Sequence, residues 1–268
     1  MINSFPQVVT IAGSDCDGSA GAQADLKTFQ EQQVYGMSIL TAAVAGNSYG
    51  IFDSVTMTPE FITAQFKTLA DDFSIQAFKT GMLSDQATIE CVATNIRKYQ
   101  WSNFVLDPVI ITKHQALLLE EAAYQSLIKE LVPLATLITP NFYEAQKLTG
   151  LHLADKAEIQ LAAQKLQQLG AKNVLIKGKH DDNRQEIVED YVLLADGQEM
   201  WLAGNFVATD HTNGTGDTLS ACITAQLALG HNMRTSIQIA KLYTQQAIQH
   251  QIAVGHQFGP INHGEAPK

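Results

Sequence analysis

Cysteine is scarce in this chain of 268 residues. The three cysteines, Cys16, Cys91 and Cys222, lie far apart and form no C-x-x-C pair. That argues against a disulfide framework or a cysteine-based zinc site and fits a reducing compartment. Basic residues are also few, 17 against 27 acidic ones, giving a formal charge of −10 with no lysine- or arginine-rich block. Such a chain is a poor partner for nucleic acid or an anionic membrane. Any site for a polyanion must build its own field from amides, lysines or a metal. No apolar run reaches the length of a membrane span. The opening residues, MINSFPQVVTIAG, lack a basic segment followed by an apolar stretch, so no signal peptide is expected and the reading is cytoplasmic. H-E-x-x-H is absent, which argues against zinc chemistry. G-x-S-x-G is absent, which argues against an α/β hydrolase. Neither a Walker P-loop nor a Rossmann G-x-G-x-x-G is present. No repeat, low-complexity tract or Pro/Gly/Ser-rich linker divides the chain.

What is present is a strand-then-helix alternation. QVVTIAG (7–13), GMSILTAAV (36–44), FKTGML (78–83), FVLDPVI (104–110), ATLITPN (135–141) and NVLIKG (173–178) read as buried strands. Helical patterns cover 21–34, 58–73, 85–99, 118–130, 156–170, 215–229 and 233–252. Thr58 with Pro59 marks one helix start, and Gly170 marks a helix end. The segment 187–207 alternates around Asp196-Gly197 and reads as a hairpin. At 46% hydrophobic, the chain is long enough for a substantial core. The expectation is one α/β domain over residues 1–268, with a mostly parallel sheet, helices on both faces and a small β-hairpin region. Ligands in such sheets sit beyond the carboxyl ends of the strands. The unusual residues cluster at those ends: Gly13-Ser14-Asp15, Lys79-Thr80-Gly81, Asp107-Pro108, Thr139-Pro140-Asn141 and Lys177-Gly178.

The stretch DHTNGTGDTLSAC (210–222) places Gly214 and Gly216 before an apolar helix. Amides at a helix start attract negative charge, and glycine lets the backbone approach an oxyanion. Asp217 is either a dipole partner in the first turn or a general base beside an anion hole. The loop GSDCDGSAGAQAD (13–25) holds three glycines, two serines and three aspartates, and is either a capped turn or a wrap around a small polar ligand met by Asp15. Asn141 and Glu144 are either a cap with its partner or, with Asp107, the water-mediated holders of Mg²⁺. Lys177 either snorkels or reaches a nucleotide phosphate. His211 and His263 read as loop histidines rather than catalysts.

Taken together, TIAGSDxxxxAGxQADLKTF (10–29), KTGML (79–83), LDPV (106–109), ITPNxxEAxxLTG (138–150), IKG (176–178), GTGxTLSA (214–221) and GP-x-x-HG (259–264) resemble the hydroxymethylpyrimidine kinases of thiamine synthesis and the related pyridoxal kinases. Both belong to the ribokinase-like superfamily, whose members phosphorylate a hydroxymethyl group with MgATP. The match covers nearly the whole chain in order. It implies an anion hole at Gly214, Thr215 and Gly216, a base at Asp217, and ATP contacts from Lys177, Asn141, Glu144, Thr212 and Asn213. It implies Mg²⁺ near Asp107 and Glu144, and a substrate side lined by Asp15, Gly21, Gly46, Met82 and Val109. Adenine is expected near 205–212 and the last helices. A homodimer is also implied.

Two departures stand out. Many close relatives carry cysteine where this chain has Asp217, and Thr112 falls near a second family cysteine, so covalent capture of an aldehyde is not expected. The hydroxymethylpyrimidine kinases read V-x-Q-N where this chain has Val44-Ala45-Gly46-Asn47, and their glutamine bonds the aminopyrimidine. A site without its polar partner loses discrimination. On that ground the expected substrate is a vitamin B6 vitamer, phosphorylated at its 5′-hydroxymethyl group, with hydroxymethylpyrimidine as the alternative.

Overall fold

The computed structural model describes residues 4–110, 119, 121–180 and 184–264. Thr112, and positions 118 and 120 of the helix expected at 118–130, lie outside the described residues. In chain order the elements are β1 (Gln7–Asp15), α1 (Gly21–Glu31), β2 (Tyr35–Asn47), β3 (Gly50–Thr56), α2 (Pro59–Asp72), β4 (Ile75–Thr80), α3 (Gln86–Tyr99), β5 (Phe104–Leu106), α4 (Glu121–Ser126), β6 (Leu137–Ile138), α5 (Phe142–Thr149), α6 (Lys156–Gln168), β7 (Asn173–Ile176), β8 (Ile187–Leu193), β9 (Glu199–Asn205), α7 (Thr215–Ala228) and α8 (Met233–Gln249). A π-helical turn, Leu127–Leu131, and a 3₁₀ turn, Val132–Leu134, continue α4.

All nine strands join one sheet in the order β3-β2-β1-β4-β5-β6-β7-β8-β9. The six from β2 to β7 in that order are parallel, while β3, β8 and β9 are antiparallel. The expected α/β class is therefore present, with a hairpin at each edge. The edge strand β3 escapes the sequence pattern because every residue from Gly50 to Thr56 is exposed, leaving no buried alternation to detect. Strands β5 and β6 are shorter than the apolar runs suggest, since Pro108 and Pro140 follow closely and cannot extend a ladder.

Alternating strand residues supply two cores. Val9, Ile11, Phe78 and Leu106 face one side, where Ile62, Phe66, Ile89, Val92 and Leu166 cover them. Val8, Ala77, Val105 and Leu175 face the other, beneath Phe29, Leu219, Ile223, Ile237 and Tyr243. Helix α7 is buried at every residue from Thr218 to Leu227. Its apolar run is all-round because it is wrapped by α1, α8 and the sheet. No helix among the described residues is long and apolar enough to cross a membrane.

Candidate active site

Helices α2, α3, α5, α6 and α8 each begin with a side-chain cap, from Thr58, Asp85, Asn141, Asp155 and Asn232. Helices α1 and α7 do not. Both start beside the strand ends that the sequence marks out. At α7 the preceding residue, Gly214, is left-handed, with φ of 78°. An added Cβ there would collide with the Ser19 carbonyl and lie 2.5 Å from Cε1 of His263. Only glycine makes this turn, which aims the first amides of α7 at the end of the sheet.

Beside them stand charged side chains from the ends of two strands, Asp107 after β5 and Lys177 after β7. An added Cβ at Gly216 would lie 3.2 Å from Lys177 Nζ and 3.5 Å from Asp107 Oδ2. Lys177 pairs with Asp107 at 3.2 Å. Burial opposes the Lys177 charge, but Asp107 and Glu144 outweigh it and hold the ammonium above lysine's ordinary range. Glu144 accepts from the amides of Ile110 at 2.9 Å and Asn141 at 2.7 Å, and Asn141 returns a cap to the Glu144 amide. Burial pushes the Glu144 carboxyl up, against the pull of Lys177. The capping reading of Asn141 and Glu144 is thus correct, and the same bonds fix the loop after β5. Val109 in that loop has φ of 42°, an uncommon conformation for a β-branched residue.

Asp217 stands one residue beyond Gly216 and is partly exposed. Its Oδ1 lies 3.7 Å from Nζ of Lys79, which is fully buried and pairs with Asp25 Oδ1 at 2.5 Å. Thr10 donates to the other Asp25 oxygen at 2.5 Å. Burial pushes the Asp25 carboxyl up to about 7, against the nearby Lys79. Burial also opposes the charge on Lys79, but Asp25 and Asp217 outweigh it and keep the lysine cationic. This buried group behind Asp217 is missing from the sequence reading. A signal was available: Asp25 shares a helical face with Ala22 and Phe29, and Lys79 interrupts an apolar strand. A charge on a buried face requires a partner.

The first loop is held by its own aspartates. Asp15 accepts from Ser19 Oγ at 3.1 Å and from the Ala20 amide at 3.0 Å. Its carboxyl is raised, chiefly by burial and then by Asp17. Gly21 opens α1 against the Gly13 carbonyl, and Met82 covers Gly13. Thr212 and Asn213 form the approach to the Gly214 turn. Thr212 accepts from Thr215, and Asn213 exchanges backbone bonds with Gly259 and Ile261. His263 is a loop residue, as expected, but it is buried against Thr218 and Ser19.

The residues fit a nucleotide phosphate, because the Gly216 backbone, Lys177 and Asp107 converge on a space that a Cβ would fill. They fit Mg²⁺ in a limited way. Among the described residues no three acidic or histidine side chains form a metal cluster. Both Glu144 oxygens already accept amides, and Asp107 faces Lys177 and Ser220. That donor set suits an ion held mainly by water and phosphate oxygens.

Residues 15–262 match the phosphomethylpyrimidine kinase family. The chain is 46% identical over 263 residues to the hydroxymethylpyrimidine/phosphomethylpyrimidine kinase of Haemophilus influenzae, covering 98% of each. It is 42% identical over 259 residues to the enzyme of the same name from Helicobacter pylori, covering 96% of each. Among solved structures, the Bacillus subtilis pyridoxal kinase in its ADP complex superposes with a TM-score of 0.88 at 37% identity, covering 97% of this chain and 98% of that one. These relatives overturn the expectation of a vitamin B6 kinase. That expectation rested on Gly46. Gly46 sits at a register shift between β2 and β3, where an added Cβ would approach the Gly50 carbonyl to 3.1 Å, and its amide and carbonyl both face the Cys16 thiol. A neighbour need give only a few tenths of an ångström to admit a side chain there, so the turn does not impose the glycine; likeness over nearly the whole chain outweighs this one position. The chain belongs to the phosphomethylpyrimidine kinase family, ATP-dependent kinases of ribokinase-like fold.

Proposed function

We propose that this chain, acting as one kinase domain, uses MgATP to phosphorylate hydroxymethylpyrimidine and then its monophosphate. Near full-length similarity to kinases of that name carries the reading. The grouping of Asp217, Gly216 and Lys177 at one helix start supports the chemistry.

In this reading Asp217 accepts the proton of the substrate hydroxyl. The freed oxygen bonds to the γ-phosphorus as the bond to the ADP oxygen breaks. Amides of Gly214, Thr215 and Gly216 offset charge on the transferring group. Lys177 neutralises phosphate charge from β7, and Asn141 and Glu144 hold the adjoining loop on the nucleotide side with Thr212 and Asn213. Asp107 and Glu144 would hold the water shell of Mg²⁺, which would supply positive charge to offset that of the phosphates. Asp15, Gly21, Gly46, Met82 and Val109 form the substrate side. Catalysis here is positioning and electrostatics. The test is ADP release with MgATP against hydroxymethylpyrimidine, its phosphate and pyridoxal. Turnover of the first two is expected, and turnover of pyridoxal alone would overturn the proposal.

A further inference from the structure

The segment after α8 runs from the turn between β2 and β3 to the turn before α7. The amides of His256 and Phe258 bond to Ser48 in the turn between β2 and β3. Gly259 and Ile261 pair with Asn213, and Asn262 donates to the Ala247 carbonyl. This path delivers His263 to a buried place between the loop before α1 and the first turn of α7. One imidazole nitrogen, Nε2, lies 3.2 Å from the Ser19 carbonyl, and the other, Nδ1, lies 2.9 Å from Thr218 Oγ1. A carbonyl only accepts, so Nε2 carries the proton. The neutral ring then accepts from the Thr218 hydroxyl through Nδ1. Burial, together with nearby Lys27, lowers the His263 pKa to about 4, which keeps the ring neutral. The Tyr243 hydroxyl donates to the His263 carbonyl and fixes the backbone.

The two loops so joined hold different halves of the reaction. Ser19 belongs to the loop closed by Asp15, since its hydroxyl donates to that carboxylate. Thr218 follows Asp217, and its amide bonds to the Gly214 carbonyl. We propose that His263 is a positioning residue of the kinase, fastening the substrate loop at Ser19 to the glycine turn that carries Asp217. The proposal rests on the kinase reading above. It gives His263 no contact with substrate; the ring sets the register between the acceptor hydroxyl and the groups that activate it.

Three variants test it: His263→Ala, His263→Gln and His263→Asn. A glutamine amide reaches the position of Nε2 and can donate to Ser19, whereas an asparagine oxygen reaches only the Nδ1 side. With hydroxymethylpyrimidine and MgATP, His263→Ala should lower kcat by about 10–100-fold, the scale of a misplaced reacting pair. The KM for ATP should change less than kcat, because Lys177, Asn141 and Glu144 on the nucleotide side lie on other elements. His263→Gln should recover most of kcat, and His263→Asn should not. In the ligand-free protein, hydrogen exchange of His263→Ala should speed up both at 18–20 and at 218, and His263→Gln should restore protection at 18–20. This readout needs no substrate, so it holds even where the acceptor proves to be another hydroxymethyl compound. A kcat within twofold of the unaltered chain in a folded His263→Ala, or equal defects in the glutamine and asparagine variants, would overturn the proposal. Exchange that changes only next to residue 263 would overturn it as well.

Discussion

Lys79→Met is the sharpest probe of the buried charge behind Asp217. In the native chain the Lys79 ammonium sits 2.5 Å from Asp25 and 3.7 Å from Asp217, with no solvent exposure on Lys79 or Asp25. Removing it strands a buried carboxylate, which costs about 3–5 kcal/mol. Against a total stability of roughly 5–15 kcal/mol this is a large fraction. Urea unfolding followed by tryptophan fluorescence should therefore show a clearly lower midpoint. Replacing both partners by uncharged groups removes the orphan, so Lys79→Met with Asp25→Asn should regain most of the lost stability. Turnover should separate from stability in the same pair. The double variant still lacks the cation beside Asp217, an attraction worth up to about 4 kcal/mol at an effective dielectric near 20. Its kcat should stay at least about 10-fold down while its unfolding midpoint returns, a deficit well inside that limit. Additive losses in the double variant would refute the pairing argument, and full recovery of kcat would refute any role for Lys79 at Asp217.

Asp217→Asn should lower kcat for hydroxymethylpyrimidine by about 10²–10⁴-fold with little change in ATP affinity. The loss should be smaller for the monophosphate, whose acceptor oxygen has little need of a base at neutral pH, and equal losses on both acceptors would count against the base assignment. Asp25 links stability to pH. Its folded-state pKa is raised from 3.8 to about 7, so its stabilising contribution is complete below 3.8 and is lost as pH rises through 7. By linkage the change is on the order of 4 kcal/mol, and Asp25→Asn should flatten unfolding free energy measured between pH 4 and 8. Gly214→Ala should lower the Tm and abolish turnover, because it combines a left-handed backbone with a collision at the Ser19 carbonyl. Retained activity in that variant would mean that the turn rearranges without harm.

The parallel sheet was legible because its strands are buried on both faces and so read as uninterrupted apolar runs, such as QVVTIAG and FVL. The caps at Thr58 and Asn141 were legible because capping is local chemistry. Lys177, Asp107, Glu144 and Asp217 stand out as polar residues at strand and helix ends, and the fold brings Lys177 and Asp107 together beside Gly216, with Glu144 interacting with both. Lys79 and Asp25 were not legible as a pair, because 54 positions separate them and they meet only once α1 packs on β1, the sheet neighbour of β4. His263 meets Ser19 across 244 positions, a contact that no local pattern encodes. Gly46 misled because a single position was set against the likeness of the whole chain to its relatives.

The all-round burial of α7 has a consequence for how the enzyme fails. Most surface helices can fray or shift without breaching a core, but α7 has no free side from Thr218 to Leu227. Opening it exposes the interior, so its local opening should require nearly the whole free energy of unfolding. Asp217 and its glycine turn are mounted on the least yielding part of the molecule. Heating should therefore produce no long-lived state that is folded but inactive through loss of the base. Thermal inactivation and loss of tertiary structure should follow one curve, while the exposed β3 edge can loosen earlier without touching the chemistry.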